Sequence, residues 1–305
     1  MVSCPFCKRN TGVIKSGLRQ TQKGVVQRYF CKTCNAYFTD TVQPYTQYPL
    51  HVILFAIEQY NRGYPVSEVK RRTGKRYRFS PPIQTIYSWL ERYKDTCTFI
   101  KTRKHYEVDP SSLLSVKKLY HQQVYPFTYH TLKLNLSSKQ FPQLRRYIQW
   151  VERCLPDTMF QSGPRASSFR IPHNTDTKEI DNIIPEMSRL ALSNCKKNSD
   201  AHDVIEQFFL IHDATTVCTE LPVFLNPAET DLVPLSDPLT GHIDIIQIRY
   251  NTLYILDYKP NLKNPKRYAS QLRLYKEAVA KRTSIPDNKI VTGVFNSHGY
   301  FEFNS

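Results

Sequence analysis

The chain has 305 residues, 40% hydrophobic and 12% aromatic, and its 42 Lys and Arg against 26 Asp and Glu give a formal net charge of +16. This apolar content supports about two or three folded domains and excludes a disordered chain. A mean hydropathy of −0.48, with no uninterrupted apolar span, speaks against a membrane protein and predicts a soluble, cytoplasmic one. The basic excess is concentrated at the front: residues 1–106 hold 19 Lys or Arg against 5 Asp or Glu, and the remainder holds 23 against 21. A basic module joined to a nearly neutral one is expected when the first concentrates the protein on a polyanion and the second does chemistry on it.

Cys4-Pro-Phe-Cys7 and Cys31-Lys-Thr-Cys34 come first in the chain, with Tyr29, Phe30, Tyr37 and Phe38 around the second pair. Two such pairs, 23 residues apart, predict a tetrahedral Zn²⁺ held by Cys4, Cys7, Cys31 and Cys34. Four thiolates leave no open coordination position, so the ion is expected to be structural. Two disulfides are the weaker alternative, because no secretory leader is read and Cys97, Cys154, Cys195 and Cys218 show no pairing logic. A zinc ribbon over residues 1–42 buries little core, so metal would largely hold it folded.

Leu50 to Tyr60 has the apolar spacing of a helix, Arg62-Gly63-Tyr64-Pro65 breaks it, and Val66 to Arg72 predicts a short second helix. Ser80 with Pro81-Pro82 opens a third, running through Ile83, Ile86, Trp89, Leu90 and Tyr93. Residues 43–106 are therefore expected to form a helix-turn-helix, with a plain helical bundle as the alternative. Gln84, Thr85, Tyr87 and Ser88 would face base edges, and Arg71, Arg72, Lys75, Arg76 and Arg78 would meet phosphates. Ribbon and helices together resemble the N-terminal DNA-binding region of insertion-sequence transposases.

Residues 107–195 are expected to be a helical connector. An aromatic stretch, Tyr125 to Tyr129, precedes an amphipathic helix from Phe141 to Leu155 with Leu144, Tyr147, Ile148, Val151 and Leu155 on one face. Gln161 to Thr177 reads as a loop, and Ile184 to Leu192 as a helix entering the last domain. Arg145, Arg146, Arg165 and Arg170 are expected on a solvated face rather than along a DNA path.

Residues 196–305 carry the sharpest pattern. Ala201 to His212 reads as a helix with His202 and Glu206 four residues apart, Glu206 being expected in solvent, and Val217 to Phe224 reads as a strand holding Glu220. His242 to Arg249 and Leu253 to Tyr258 predict a hairpin turning at Asn251-Thr252. It brings Asp244 towards Asp257, and Lys259 shares a face with Asp257 because strand side chains repeat every two residues. The helix from Tyr268 to Arg282 puts Gln271 and Tyr275 on one side, and strands are expected at Ile290 to Phe295 and Tyr300 to Phe303. Two aspartates and a lysine suit phosphodiester hydrolysis, which needs a hard cation, an activated water and positive charge near the phosphoryl oxygens.

The ordered set of a helical histidine, a glutamate, Gly241-x-x-Asp244, Asp257-x-Lys259 and Gln271-x-x-x-Tyr275 resembles the RecB-like branch of the PD-(D/E)XK nucleases. The resemblance covers about the last third of the chain and implies an α/β (α+β) restriction-endonuclease-like core. It takes His202 as the family histidine, with His212 as the alternative. It implies Mg²⁺ or Mn²⁺ held by Asp244, Asp257, the Tyr258 carbonyl and His202. Lys259 would act on water or transition-state charge, Gln271 and Tyr275 would contact DNA or brace the site, and Glu220 would complete the set. No cysteine follows Cys218, so the iron–sulfur cluster of some relatives is not expected. The chain is thus expected to be a metal-dependent DNA nuclease. A silent DNA-binding regulator and the DNA-cutting subunit of a transposition or other mobile-element system are the alternatives. DNA is the expected partner and a membrane is not, while a homodimer and a recombination partner protein are left open.

Overall fold

The computed structural model describes every residue except 1, 8, 22–23, 40–47, 122, 138, 157, 172–175, 194, 196 and 305. The expected ribbon boundary at residue 42, and residues 172–175 of the expected loop, lie outside the described residues. The protein is mixed α/β, and its contacts divide it into two compact units, one made of Met1–Gln59 with Pro65–Trp89 and the other of Tyr60–Tyr64 with Leu90–Ser305. Among the described residues no helix is long and apolar enough to cross a membrane.

The first unit begins with a three-stranded antiparallel sheet, β1 (Val13–Thr21), β2 (Gly24–Cys31) and β3 (Ala36–Thr39). Among the described residues its buried core is Cys4, Tyr29, Cys31 and Phe38, with the two rings stacked at 5.6 Å. Three helices follow, α1 (Leu50–Asn61), α2 (Val66–Tyr77) and α3 (Ile83–Tyr93). The break between α1 and α2 falls where expected, and Gly63 adopts a φ of +103° there. An L side chain rarely takes that conformation. α2 runs on past the expected end at Arg72, because Gly74 is tolerated inside it, and it stops at Arg78, whose left-handed φ of +59° lets its N–H reach the Gly74 carbonyl.

The second unit is organised on an eight-stranded mixed sheet. Its strands are β4 (Leu114–His121), β5 (Gln123–His130), β6 (Asp176–Glu179), β7 (Thr216–Leu225), β8 (Leu239–Arg249), β9 (Thr252–Tyr258), β10 (Ile290–Phe295) and β11 (Tyr300–Asn304), in the order β4-β5-β7-β8-β9-β10-β11-β6. Among the described strands β9 and β10 are the parallel pair, joined by a crossover through a long helix. The hairpin of β8 and β9 closes at Tyr250 and Asn251, both with positive φ, across the Arg249–Thr252 pair. That is the mirror-image turn that matches strand twist.

Among the described residues the unit's α-helices are α4 (Phe99–Arg103), α5 (Thr131–Ser137), α6 (Pro142–Cys154), α7 (Met159–Ser162), α8 (Ile184–Leu192), α9 (Ala201–His212) and α10 (Ala269–Thr283). One core joins Met187 of α8 and Ile205 and Phe209 of α9 to Ile245, Leu256 and Phe295 of the sheet. A second joins Leu144, Ile148 and Val151 of α6 and Leu272 and Val279 of α10 to Ile246, Ile255 and Val294. Strand alternation thus sends neighbouring isoleucines into different cores. Residues 107–195 are not the helical connector expected: β4, β5 and β6 lie within this sheet, with Thr128 and Tyr129 of the aromatic stretch paired to Thr219 and Cys218 of β7. Long-range pairing with β7 overrides the weak local signal of that segment.

Candidate active site

The sheet brings the acids together by register. β7 and β8 pair Thr219 with Ile245 and Leu221 with Ile243, so Glu220 lies across from Asp244. β8 and β9 pair Ile245 with Leu256, which carries Asp244 next to Asp257 one step along. Glu220 holds a left-handed φ of +52° inside its strand. For a residue with a Cβ this costs on the order of 1–2 kcal/mol, a strain typical of functional positions.

Asp244 Oδ2 accepts the Tyr258 N–H at 2.8 Å and lies 3.7 Å from His202 Nδ1. Tyr258 itself is buried, with its ring edge-on to His202 at 5.0 Å. Lys259 Nζ pairs with Asp257 Oδ2 at 2.7 Å, and Gln271 Nε2 reaches Asp257 Oδ1 at 3.4 Å while donating to the Tyr275 hydroxyl at 3.0 Å. Gly241 explains how Tyr275 comes so close, since a Cβ there would stand 2.3 Å from Tyr275 Cε1. Of the two candidate histidines only His202 lines this pocket; His212 is buried elsewhere, bonded to Asn61 at 3.0 Å.

The pocket measures about 240 Å³, and all six expected catalytic side chains line it together with His202. Arg165, expected on a solvated face, also lines it and donates to the Tyr125 hydroxyl at 2.6 Å. Tyr125 stacks on His242 at 3.7 Å, and His242 Nε2 meets His121 Nδ1 at 2.7 Å. Glu206 is not in solvent but 3% exposed. His202, Glu206 and Asp244 offer ligand atoms within 4.8 Å of one another and could hold a metal ion. The i,i+4 spacing of His202 and Glu206 was the available signal for Glu206; nothing local marked Arg165 or Tyr125.

Burial and mutual repulsion dominate the electrostatics. Asp257 is pushed up to about 7 by burial and by Asp244, against the pull of Lys259. Burial also raises Asp244, opposed by Lys259 and the Tyr258 N–H. Glu220 rises to about 8 through burial and the charges of Asp244 and Asp203, and Glu206 rises well above the carboxylate range through burial and Glu220. Burial pulls Lys259 down, but Asp257 and Asp244 outweigh it and keep the ammonium charged. His202 is lowered by burial and by Lys259, which favours the neutral imidazole that can ligate a cation.

In the first unit Cys4, Cys7, Cys31 and Cys34 gather within 4.8 Å and could bind a metal such as zinc. Cys4 and Cys34, and Cys7 and Cys31, stand 3.8 Å apart, too far for S–S bonds. Without a metal the four thiols share protons: hydrogen bonding to the Cys34 backbone draws Cys31 down to about 7, while hydrogen bonding to Cys7 raises Cys34 to about 12. Gln84, Tyr87 and Ser88 are exposed on α3 and Thr85 is half-buried. Of the expected phosphate contacts, Lys75 and Arg78 are exposed, Arg76 lies over the Phe55 ring at 4.9 Å, and Arg71 and Arg72 are engaged by Glu68 at 2.7 and 2.9 Å.

No protein-family model matches the chain, and no curated protein matches it.

Proposed function

We propose that the protein is a metal-dependent DNA nuclease with a PD-(D/E)XK core of the RecB-like type, hydrolysing phosphodiester bonds in DNA that its basic first unit concentrates. The observation that carries this reading is the convergence of Asp244, Asp257, Lys259, Gln271, Tyr275, Glu220 and His202 on one pocket, from three strands and two helices spread over about seventy residues.

The donor set suits a hard divalent cation: His202, Glu206 and Asp244 lie together, and Glu206 Oε1 and Glu220 Oε2 are buried with no hydrogen-bond partner among the described residues. Asp244, His202 and Glu206, with Asp257 and the Tyr258 carbonyl beside them, would hold Mg²⁺ or Mn²⁺. When bound, such an ion polarises a phosphoryl oxygen and makes water acidic enough to act near neutral pH. Lys259 presents a fixed positive charge to the phosphoryl oxygens, and Asp257 orients it through their ion pair. Gln271 links Asp257 to Tyr275 and so holds both carboxylate and phenol in place. In the first unit the four thiolates would hold a structural Zn²⁺, and the exposed residues of α3 would meet duplex DNA.

The test incubates the purified protein and its Asp257→Ala variant with linear, circular and single-stranded DNA in Mg²⁺ or Mn²⁺. The parent is expected to cut and the variant to bind without cutting. Equal cutting by both refutes the assigned site, and binding without cutting by both makes the protein a DNA-binding factor.

A further inference from the structure

A cavity of about 470 Å³ lies between α6, β7 and the last turn of α10 and shares no lining residue with the pocket just described. Its size falls within the range of small-molecule sites. The wall is aromatic: Phe224 and Trp150 lie 6.2 Å apart, and Trp150 rests on the buried Tyr147 ring at 5.9 Å and 18°. Trp150 keeps 37% of its surface exposed. An indole braced from behind by one ring and open in front is a platform for another flat π-system.

The rim is cationic. Arg146 and Lys281 are exposed and have no acidic partner among the described residues. Arg282 lies over Phe224 at 4.2 Å, and its charge is already matched by Glu229. Two free positive charges therefore remain beside the platform. Gln143 adds a buried Oε1 that finds no hydrogen-bond partner among the described residues, an acceptor suited to an exocyclic amine. Flat ring, anion and amine donor are together the chemistry of an amino-substituted nucleotide.

We propose that this cavity binds a nucleotide unit, with its base stacked on Trp150, its phosphate between Arg146 and Lys281, and its amino group on Gln143. The site stands apart from the nuclease reading and does not rest on it. α10 nonetheless carries both, since Arg282 follows Tyr275 by about 10 Å along the helix axis. Under the nuclease reading that spacing favours a nucleic-acid strand over a free nucleotide as the source of the unit, and this choice of source alone rests on that reading.

The probes are dAMP, deoxyribose 5-phosphate and the hexanucleotide d(A)₆, titrated into the 305-residue chain with no divalent ion added, so that cleavage plays no part. Trp150 fluorescence is the readout, because Trp89 is only 3% exposed. We expect dAMP to quench it, deoxyribose 5-phosphate to bind at least about tenfold more weakly for want of a stacking base, and Trp150→Phe to lose the signal. Arg146→Glu with Lys281→Glu, both at exposed positions, should weaken dAMP binding about tenfold or more and lower the log–log salt slope for d(A)₆ by about 0.7 per lost phosphate contact. Tighter binding of d(A)₆ than of dAMP identifies a strand as the ligand, and equal binding identifies the free nucleotide. No quenching by dAMP, equal binding of deoxyribose 5-phosphate, or unchanged affinity in the double variant overturns the proposal.

Discussion

The neighbouring pair of buried Glu206 and half-buried Glu220 makes the most exacting prediction. Glu220 titrates at about 8 instead of 4.5, raised by burial and then by Asp244, and Glu206 moves the same way. A carboxyl whose folded pKa lies above its unfolded value keeps its proton in the fold where the unfolded chain has released it. Its stabilising contribution is therefore complete below about pH 4.5 and is lost as pH rises towards 8. For a shift of this size the loss between pH 5 and pH 8 is about 3 kcal/mol, a ceiling because Glu206 shares the repulsion. Glu220→Gln keeps the shape and removes the titration. Urea unfolding of the metal-free second-unit transition, followed by circular dichroism at pH 5, 6, 7 and 8, should show the parent weakening across this range and the variant weakening less. Parallel pH slopes for parent and variant would refute the reasoning, because they would mean that Glu220 ionises in the fold as it does in the open chain.

Gly241→Ala places a methyl against Tyr275, and displacing that ring should cost about 1–3 kcal/mol in urea stability and reduce any cleavage more than DNA binding. Lys133→Met removes a buried amino group, drawn down to about 7 by burial, that donates to the Leu210 and Asp213 carbonyls at the end of α9. Leaving those acceptors bare should cost about 2–4 kcal/mol, read as a lower urea midpoint with an unchanged slope. Cys31→Ser should lower bound zinc from about one ion per chain and make the first 39 residues protease-sensitive, and equal metal content in both proteins would count against the four-thiolate site. Mn²⁺ should raise the parent's unfolding temperature at pH 8 but not that of Asp244→Asn, and an equal rise in both would separate the ion from this acid.

The parts of the site that local pattern could reveal lie on elements whose periodicity is strong. Alternating isoleucines from Ile243 to Ile248 mark β8, and a two-residue turn fixes β9 opposite it, so Asp244, Asp257 and Lys259 could be placed together from spacing alone. Gln271 and Tyr275 followed from helical spacing. What stayed hidden depends on contacts distant in sequence. β4 and β5 belong to the sheet because Thr128 and Tyr129 pair with β7, some ninety residues on, and no local signal encodes that pairing. Arg165 reaches the pocket from irregular backbone beside Thr240, so its role depends on where the loop is docked. Glu206 looked solvated because a charged helix residue usually is, and only the packing of α9 on β7 and β8 buries it.

That burial bears on what the pocket is for. A core that only had to be stable would not place Glu206, Glu220, Asp244 and Asp257 in mutual repulsion, hold Glu220 at a positive φ, and leave two carboxylate oxygens without donors. Each of these features destabilises the fold, and apolar residues of similar volume would avoid the charge penalties. Lys259 compensates chiefly Asp257, since their ion pair is the close one, so Asp244, Glu206 and Glu220 are left without a close cation, and the two glutamates relieve their repulsion by holding protons. A bound cation would reverse the sign of the same interactions, turning raised carboxyl pKa values into lowered ones and the orphaned oxygens into ligands. Under the proposed reading the metal-free protein is therefore the strained form. Its pH-dependent loss of stability and its stabilisation by Mn²⁺ are two consequences of one arrangement, and both should shrink together in Glu206→Gln.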